Sequence, residues 1–67
     1  MSVARVTELS ATSEQSFEDA VRKGIERATK TLRNVTSAWV KEMRVSLEND
    51  RIKHYQVNIQ VTFILED

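Results

Sequence analysis

The last stretch of the chain constrains its fold more than any other. Tyr55, Val57, Ile59, Val61, Phe63 and Leu65 form one apolar set, interleaved with polar His54, Gln56, Asn58, Gln60 and Thr62. A period of two held over eleven positions marks a strand with one face buried. Read from Ile52 to Leu65, the strand has fourteen residues, and at about 3.3 Å each it runs about 45 Å. A compact chain of 67 residues has a radius of gyration of only about 11 Å. The strand therefore outruns any one helix that covers it. Its protruding arm needs a partner, and copies of the same chain are the simplest one.

The rest of the sequence supplies three more elements. A short strand is expected over about Ala4 to Ser10, where Val3, Arg5, Thr7 and Leu9 alternate with Ala4, Val6 and Glu8. A helix is expected over about Glu14 to Arg33. Thr12-Ser13-Glu14-Gln15 reads as its capping box, and Glu18 and Asp19 suit the positive end of its dipole. Glu18–Arg22, Asp19–Lys23 and Glu26–Lys30 are acid-before-base pairs four apart. The buried stripe is Phe17, Ala20, Val21, Gly24, Ile25, Ala28 and Leu32. Gly24, the only glycine, costs about 1 kcal/mol in a helix relative to alanine, so a close approach to a sheet is its expected reason. A strand over about Thr36 to Leu47 then pairs with the last strand across Glu48-Asn49-Asp50-Arg51, a turn whose Asn and Asp tolerate positive φ. The order is βαββ, an α+β fold with one domain over residues 1–67.

Composition narrows the function classes. A domain this small buries only about 60% of the surface its unfolded chain exposes. There is no cysteine, so disulfides and thiolate metal sites are excluded, and the one histidine, His54, excludes a histidine cluster within one chain. Oligomerisation is the remaining source of stability. Ten basic residues balance ten acidic ones, unlike the field of a nucleic-acid binder. No apolar run approaches the about 20 residues that span a membrane, and Met1 to Arg5 lacks a signal-peptide core, so a cytoplasmic protein is expected. There is no glycine-rich phosphate loop. Glu66-Asp67 is a terminal tail rather than a cleft, and a Ser/His/Asp arrangement would rest on His54 alone. An enzyme is not expected.

If Asn49-Asp50 centre the turn, Trp39 falls opposite Gln60 and Met43 opposite Gln56. Ser37, Trp39, Lys41 and Met43 then share a face with His54, Gln56, Asn58 and Gln60, while Glu42 and Arg44 share the other as a structural ion pair. The only tryptophan thus stands among carboxamides, off the helix-packed face. Indole offers a stacking surface and carboxamides read a polar edge, which suits a planar heteroaromatic ligand. A subunit contact is the other reading of Trp39. Asn58 and Gln60 read best as pairing across a subunit boundary, and His54 as solvated or interfacial. Arg22, Lys23, Arg27, Lys30 and Arg33 read as a solvated helix face.

The first strand, Thr12-Ser13-Glu14, the run from Ala20 to Val35, Val40-Lys41-Glu42, Tyr55-Gln56-Val57 and Val61-Thr62-Phe63 together resemble the dodecins over essentially the whole chain. The resemblance implies a three-stranded antiparallel sheet wrapped around one helix, with twelve subunits forming a hollow shell. It implies flavin, FMN or riboflavin, bound between subunits by a tryptophan and by a glutamine matched here by Gln56. Aligned on Val40, the family tryptophan falls at Ser37, and Trp39 stands two residues later, about 6.6 Å along the strand on the same face. The resemblance also implies Arg44 as a flavin contact, Glu42 as a ligand of Mg²⁺ or another divalent ion, and Arg27 and Arg33 as neighbours of a coenzyme A site. The function expected is flavin storage or sequestration by a homododecamer. The alternative is a shell without flavin that holds metal ions or another small ligand.

Overall fold

The computed structural model of the chain describes residues 2–65; the Glu66-Asp67 tail lies outside them. The elements are β1 (Ala4–Ser13), α1 (Phe17–Thr31), β2 (Val35–Glu48) and β3 (Arg51–Ile64). They form one antiparallel sheet in the order β1-β3-β2. The chain measures 51 × 19 × 13 Å with a radius of gyration of 13.9 Å. That elongation comes from the β2–β3 hairpin, which extends past the helix as the length of the last strand requires.

β3 lies at the centre because its alternation supplies the core. Val57, Ile59 and Val61 are fully buried on the helix side, against Ala20 and Ala28, with Leu9, Ala11, Phe17, Val21, Ile25, Leu32 and Val35 packed around them. The Phe17 and Tyr55 rings meet edge to face at 5.1 Å. Gly24 has the reason its sequence suggests: a Cβ there would stand 2.8 Å from Ile59 Cδ1, 3.2 Å from Leu9 Cδ1 and 3.3 Å from Ala11 Cβ. The helix lies so close to the sheet that only a hydrogen fits.

The start of the helix departs from expectation. β1 continues to Ser13, which pairs with Tyr55, so Thr12 and Ser13 are strand residues and cap nothing. Ser16 is the cap, its hydroxyl accepting from Asp19 N–H at 3.0 Å. Ser13 Oγ instead accepts from Gln15 N–H at 2.9 Å and donates to Asp19 Oδ2 at 2.6 Å. Asp19 also bonds Arg22 and meets Lys23 Nζ at 3.2 Å. Arg22 turns to Asp19 and to Glu26 (3.6 Å), not to Glu18. The hydroxyl of Ser13, more than any other group, holds the Asp19 carboxyl below its ordinary pKa; burial opposes this and Lys23 and Arg22 reinforce it. The helix ends at Thr31, where Leu32 N–H reaches Ala28 C=O at 2.9 Å. Asn34 then turns the chain into β2 with φ 61°.

The hairpin turn forms as read. Asn49 and Asp50 have φ 53° and 63°, and Glu48 pairs with Arg51 across a two-residue loop. The register is not regular throughout, however. The ladder shifts between Val35 and Ser37, between Val40 and Glu42, and between Ser46 and Leu47, leaving Thr36, Lys41 and Lys53 as extra residues. The bulge at Lys53 puts Arg44, not Met43, opposite Gln56, and the bulge at Lys41 restores the register, so that Trp39 lies opposite Gln60 as expected. Met43 pairs with fully buried Val57 and so belongs to the helix-side face. No helix of the described residues is long and apolar enough to cross a membrane.

Candidate functional site on the outer face of the sheet

The sheet face turned away from the helix is polar and is built in cross-strand rows. Glu8, Gln60 and Trp39 form one row, followed along β3 by Ser10, Asn58 and Glu42, then by Thr12, Gln56 and Arg44, with Ser46 beside His54 at the end. Directly opposed residues of antiparallel strands share a face. The bulge at Lys41 is what puts Glu42 and Arg44 on one face with Trp39. Without an extra residue they would alternate to the helix side, as the sequence reading had it. The expected Glu42–Arg44 ion pair does not form, and Glu42 instead accepts from Asn58 Nδ2 at 2.8 Å.

Hydrogen bonds fix most of the face. Gln56 Nε2 donates to Ser10 Oγ at 3.0 Å and lies 3.5 Å from Asn58 Oδ1. Gln60 Nε2 donates to Glu8 Oε1 at 2.9 Å, and Lys41 Nζ reaches the same oxygen at 3.3 Å. Asn58 and Gln60 thus each donate to a carboxylate of their own chain. The Gln60 amide and then the Lys41 ammonium hold the Glu8 carboxyl below its ordinary range. His54 Nε2 lies 2.9 Å from Ser46 Oγ and is half-buried.

Two groups stand out as available. Trp39 is 47% exposed, a large apolar surface set among these polar side chains. Arg44 is exposed, and among the described residues its guanidinium has no ion pair or side-chain hydrogen bond. Ser37 lies one row beyond Trp39, opposite Thr62, and is exposed. Trp39, Ser37, Gln56, Arg44 and Glu42 therefore all lie on one surface. Arg27 and Arg33 do not, since they belong to the helix side; Arg33 lines a depression of about 270 Å³ with Leu32, Phe63 and Leu65. Among the described residues no three His, Cys, Asp or Glu gather into a metal-holding group. Glu8 and Ser10 are the participants that sequence did not place on this face; Lys41 was expected on it and reaches Glu8.

The fold is thus a small βαββ unit with one polar, largely hydrogen-bonded sheet face, and similarity to known proteins places it further. The dodecin family model matches residues 3–66. The chain belongs to the dodecin family. It is 40% identical to a dodecin of Thermus thermophilus over 65 residues, 97% of this chain and 94% of that one. The crystal structure of a T. thermophilus protein superposes with a TM-score of 0.93 at 39% identity, covering 100% of this chain and 98% of the other. The dodecin of Streptomyces coelicolor matches with a TM-score of 0.93 at 35% identity over 98% and 94% of the chains. A calcium-chelating dodecin of Mycobacterium tuberculosis, with a calcium-binding site, matches with a TM-score of 0.83 at 25% identity over 96% and 91%.

Proposed function

We propose that this chain works as a homododecamer that stores or sequesters flavin, FMN or riboflavin, at sites shared between subunits. One observation carries the reading: in a chain of the dodecin family, Arg44 stands opposite Gln56 on the same face that presents Trp39. The indole supplies a stacking surface. The Gln56 carboxamide supplies both a donor and an acceptor for a pyrimidine edge, and the unpaired guanidinium of Arg44 donates to a ring carbonyl or a phosphate. Ser37, small and exposed, leaves room beside Trp39 for a flat ring. Gln56 lies four residues along β3 from Gln60, the partner of Trp39, which is about 13 Å. A ring stacked on Trp39 of one chain is therefore better read by Gln56 of a neighbour, which is why the site needs the assembly. The role is binding, not catalysis.

Titrating FMN or riboflavin with the intact protein is expected to quench flavin fluorescence, and Trp39→Ala to abolish the quenching. Full flavin fluorescence at micromolar wild-type protein would sink the proposal.

A second reading is a shell that holds divalent cations through Glu42. The observation favouring it is Ser37, which stands where the family aromatic is expected. The calcium site of the M. tuberculosis relative adds a precedent. Adding Ca²⁺ or Mg²⁺ after chelator treatment would then raise the unfolding temperature of the wild type but not of Glu42→Gln. Equal temperatures with and without metal would remove this reading.

A further inference from the structure

We propose that Glu8, held by Lys41 and Gln60, is a specificity-determining residue beside Trp39: it selects flat heteroaromatic ligands whose edge carries a ring N–H. This deepens the flavin reading and rests on it, because a ring must first stack on Trp39. The polar groups nearest Trp39 within its own chain are not those of the Gln56 row. Gln60 is its direct cross-strand partner, and Glu8 is the partner of Gln60 on the other side, so the three form one continuous row across the sheet. Lys41, the bulge residue, crosses from β2 over the central strand to Glu8 at 3.3 Å, next to that row. Both bonds to Glu8 fall on Oε1, from Gln60 at 2.9 Å and from Lys41. They orient the carboxylate and keep it charged, and Oε2 is the oxygen left to face a ligand. The Glu8 side chain is 44% exposed and so can be reached.

A charged acceptor fixed at the edge of a stacking surface discriminates by what it meets. A ring N–H gives a charge-assisted hydrogen bond, roughly twice as strong as a neutral one. A ring nitrogen carrying a methyl group gives none and covers the carboxylate without a partner, which costs the desolvation. The imide of a flavin presents such an N–H between two carbonyls. The Lys41 ammonium and the Gln60 amide both bond Glu8, and their remaining N–H groups are the donors at hand for those carbonyls. With the ring N–H on Glu8, Gln56 of a neighbouring subunit serves a ring carbonyl through its amide donor. The experiment must therefore tell the two apart.

Riboflavin and its N3-methyl derivative are titrated into the intact protein and the quenching is followed. The wild type is expected to prefer riboflavin by about tenfold, a free-energy difference of about 1.4 kcal/mol. Glu8→Ala is expected to bring the two affinities within about twofold while size-exclusion mass shows the assembly unchanged. Gln56→Ala is expected to weaken both ligands and keep the preference. A preference intact in Glu8→Ala, or lost only in Gln56→Ala, overturns the assignment of Glu8 and leaves the flavin reading standing. Failure of the wild type to quench either compound removes both.

Discussion

At the scale of single residues, two positions show how narrow the tolerances are. Gly24 is placed where a methyl group would intrude on Ile59, Leu9 and Ala11 at 2.8 to 3.3 Å. Alanine would gain about 1 kcal/mol of helix propensity. Against this stands overpacking, which costs about 1–3 kcal/mol in a filled core. Ile59 Cδ1 is the end of a side chain, but that side chain is fully buried, and Ala11 Cβ cannot turn away. Packing is expected to win, with Gly24→Ala destabilising the chain by about 1 kcal/mol in denaturant titration. A gain in stability would mean that the helix can lift from the sheet without cost. Asp19 gives a pH signature. Its folded pKa is lowered, chiefly by the Ser13 hydroxyl, so its contribution is complete above the unfolded value of about 3.9 and is lost as pH falls through the lower folded value. Stability measured from pH 7 downward is expected to fall less steeply below about pH 4 in Asp19→Asn than in the wild type. Parallel curves would assign the acid response to other carboxylates.

At the scale of elements, the hairpin carries both the clearest prediction and the clearest lesson. Asn49 and Asp50 both have positive φ, the geometry for which Asn-Gly is the preferred pair. Asp50→Gly removes the left-handed penalty at the second position and is expected to stabilise the protein by about 0.5 kcal/mol, read as a higher unfolding midpoint. A lower midpoint would show that the Asp50 side chain holds the turn. The turn, the helix stripe and the buried face of β3 were legible because each follows a local rule of period or turn chemistry. The face of Arg44 was not, because a uniform register was assumed across three bulges. Yet each bulge left a mark. Apolar positions step by three, not two, from Val35 to Ala38, from Val40 to Met43 and from Ile52 to Tyr55, and the extra residues Thr36, Lys41 and Lys53 fall inside those steps. Reading the step as a bulge would have moved Glu42 and Arg44 beside Gln56 from sequence alone. The part played by Glu8 was hidden for another reason. It depends on β1 pairing with the last strand, and that is a contact between residues 52 apart, which no local pattern records.

At the scale of the whole molecule, the helix-side face of the hairpin is unfinished. Val40, Met43, Val45, Leu47 and Ile52 lie on it, and between 38% and 65% of each remains exposed. Val40 and Met43 flank the core opposite Ile59 and Val57, and Val45, Leu47 and Ile52 carry its apolar face on toward the hairpin turn of a chain 51 Å long. A run of large apolar side chains on one side of a two-stranded arm is unfavourable in water, and burying one such side chain contributes about 1.5–3 kcal/mol. An isolated hairpin is at best marginally stable, so the arm's order depends on cover. The proposed homododecamer supplies that cover from other copies, and it makes stability a function of concentration. Val45 lies mid-arm opposite Tyr55, so Val45→Asp would set an unpaired carboxylate in the contact. The expected result is a fall in mass by light scattering after size exclusion, together with loss of resistance to denaturant on dilution. Wild-type protein that elutes at the mass of one chain and unfolds at the same denaturant concentration whatever its dilution would refute the assembly. It would also remove the shared flavin site, since Trp39 and Gln56 of one chain lie too far apart to serve one ring.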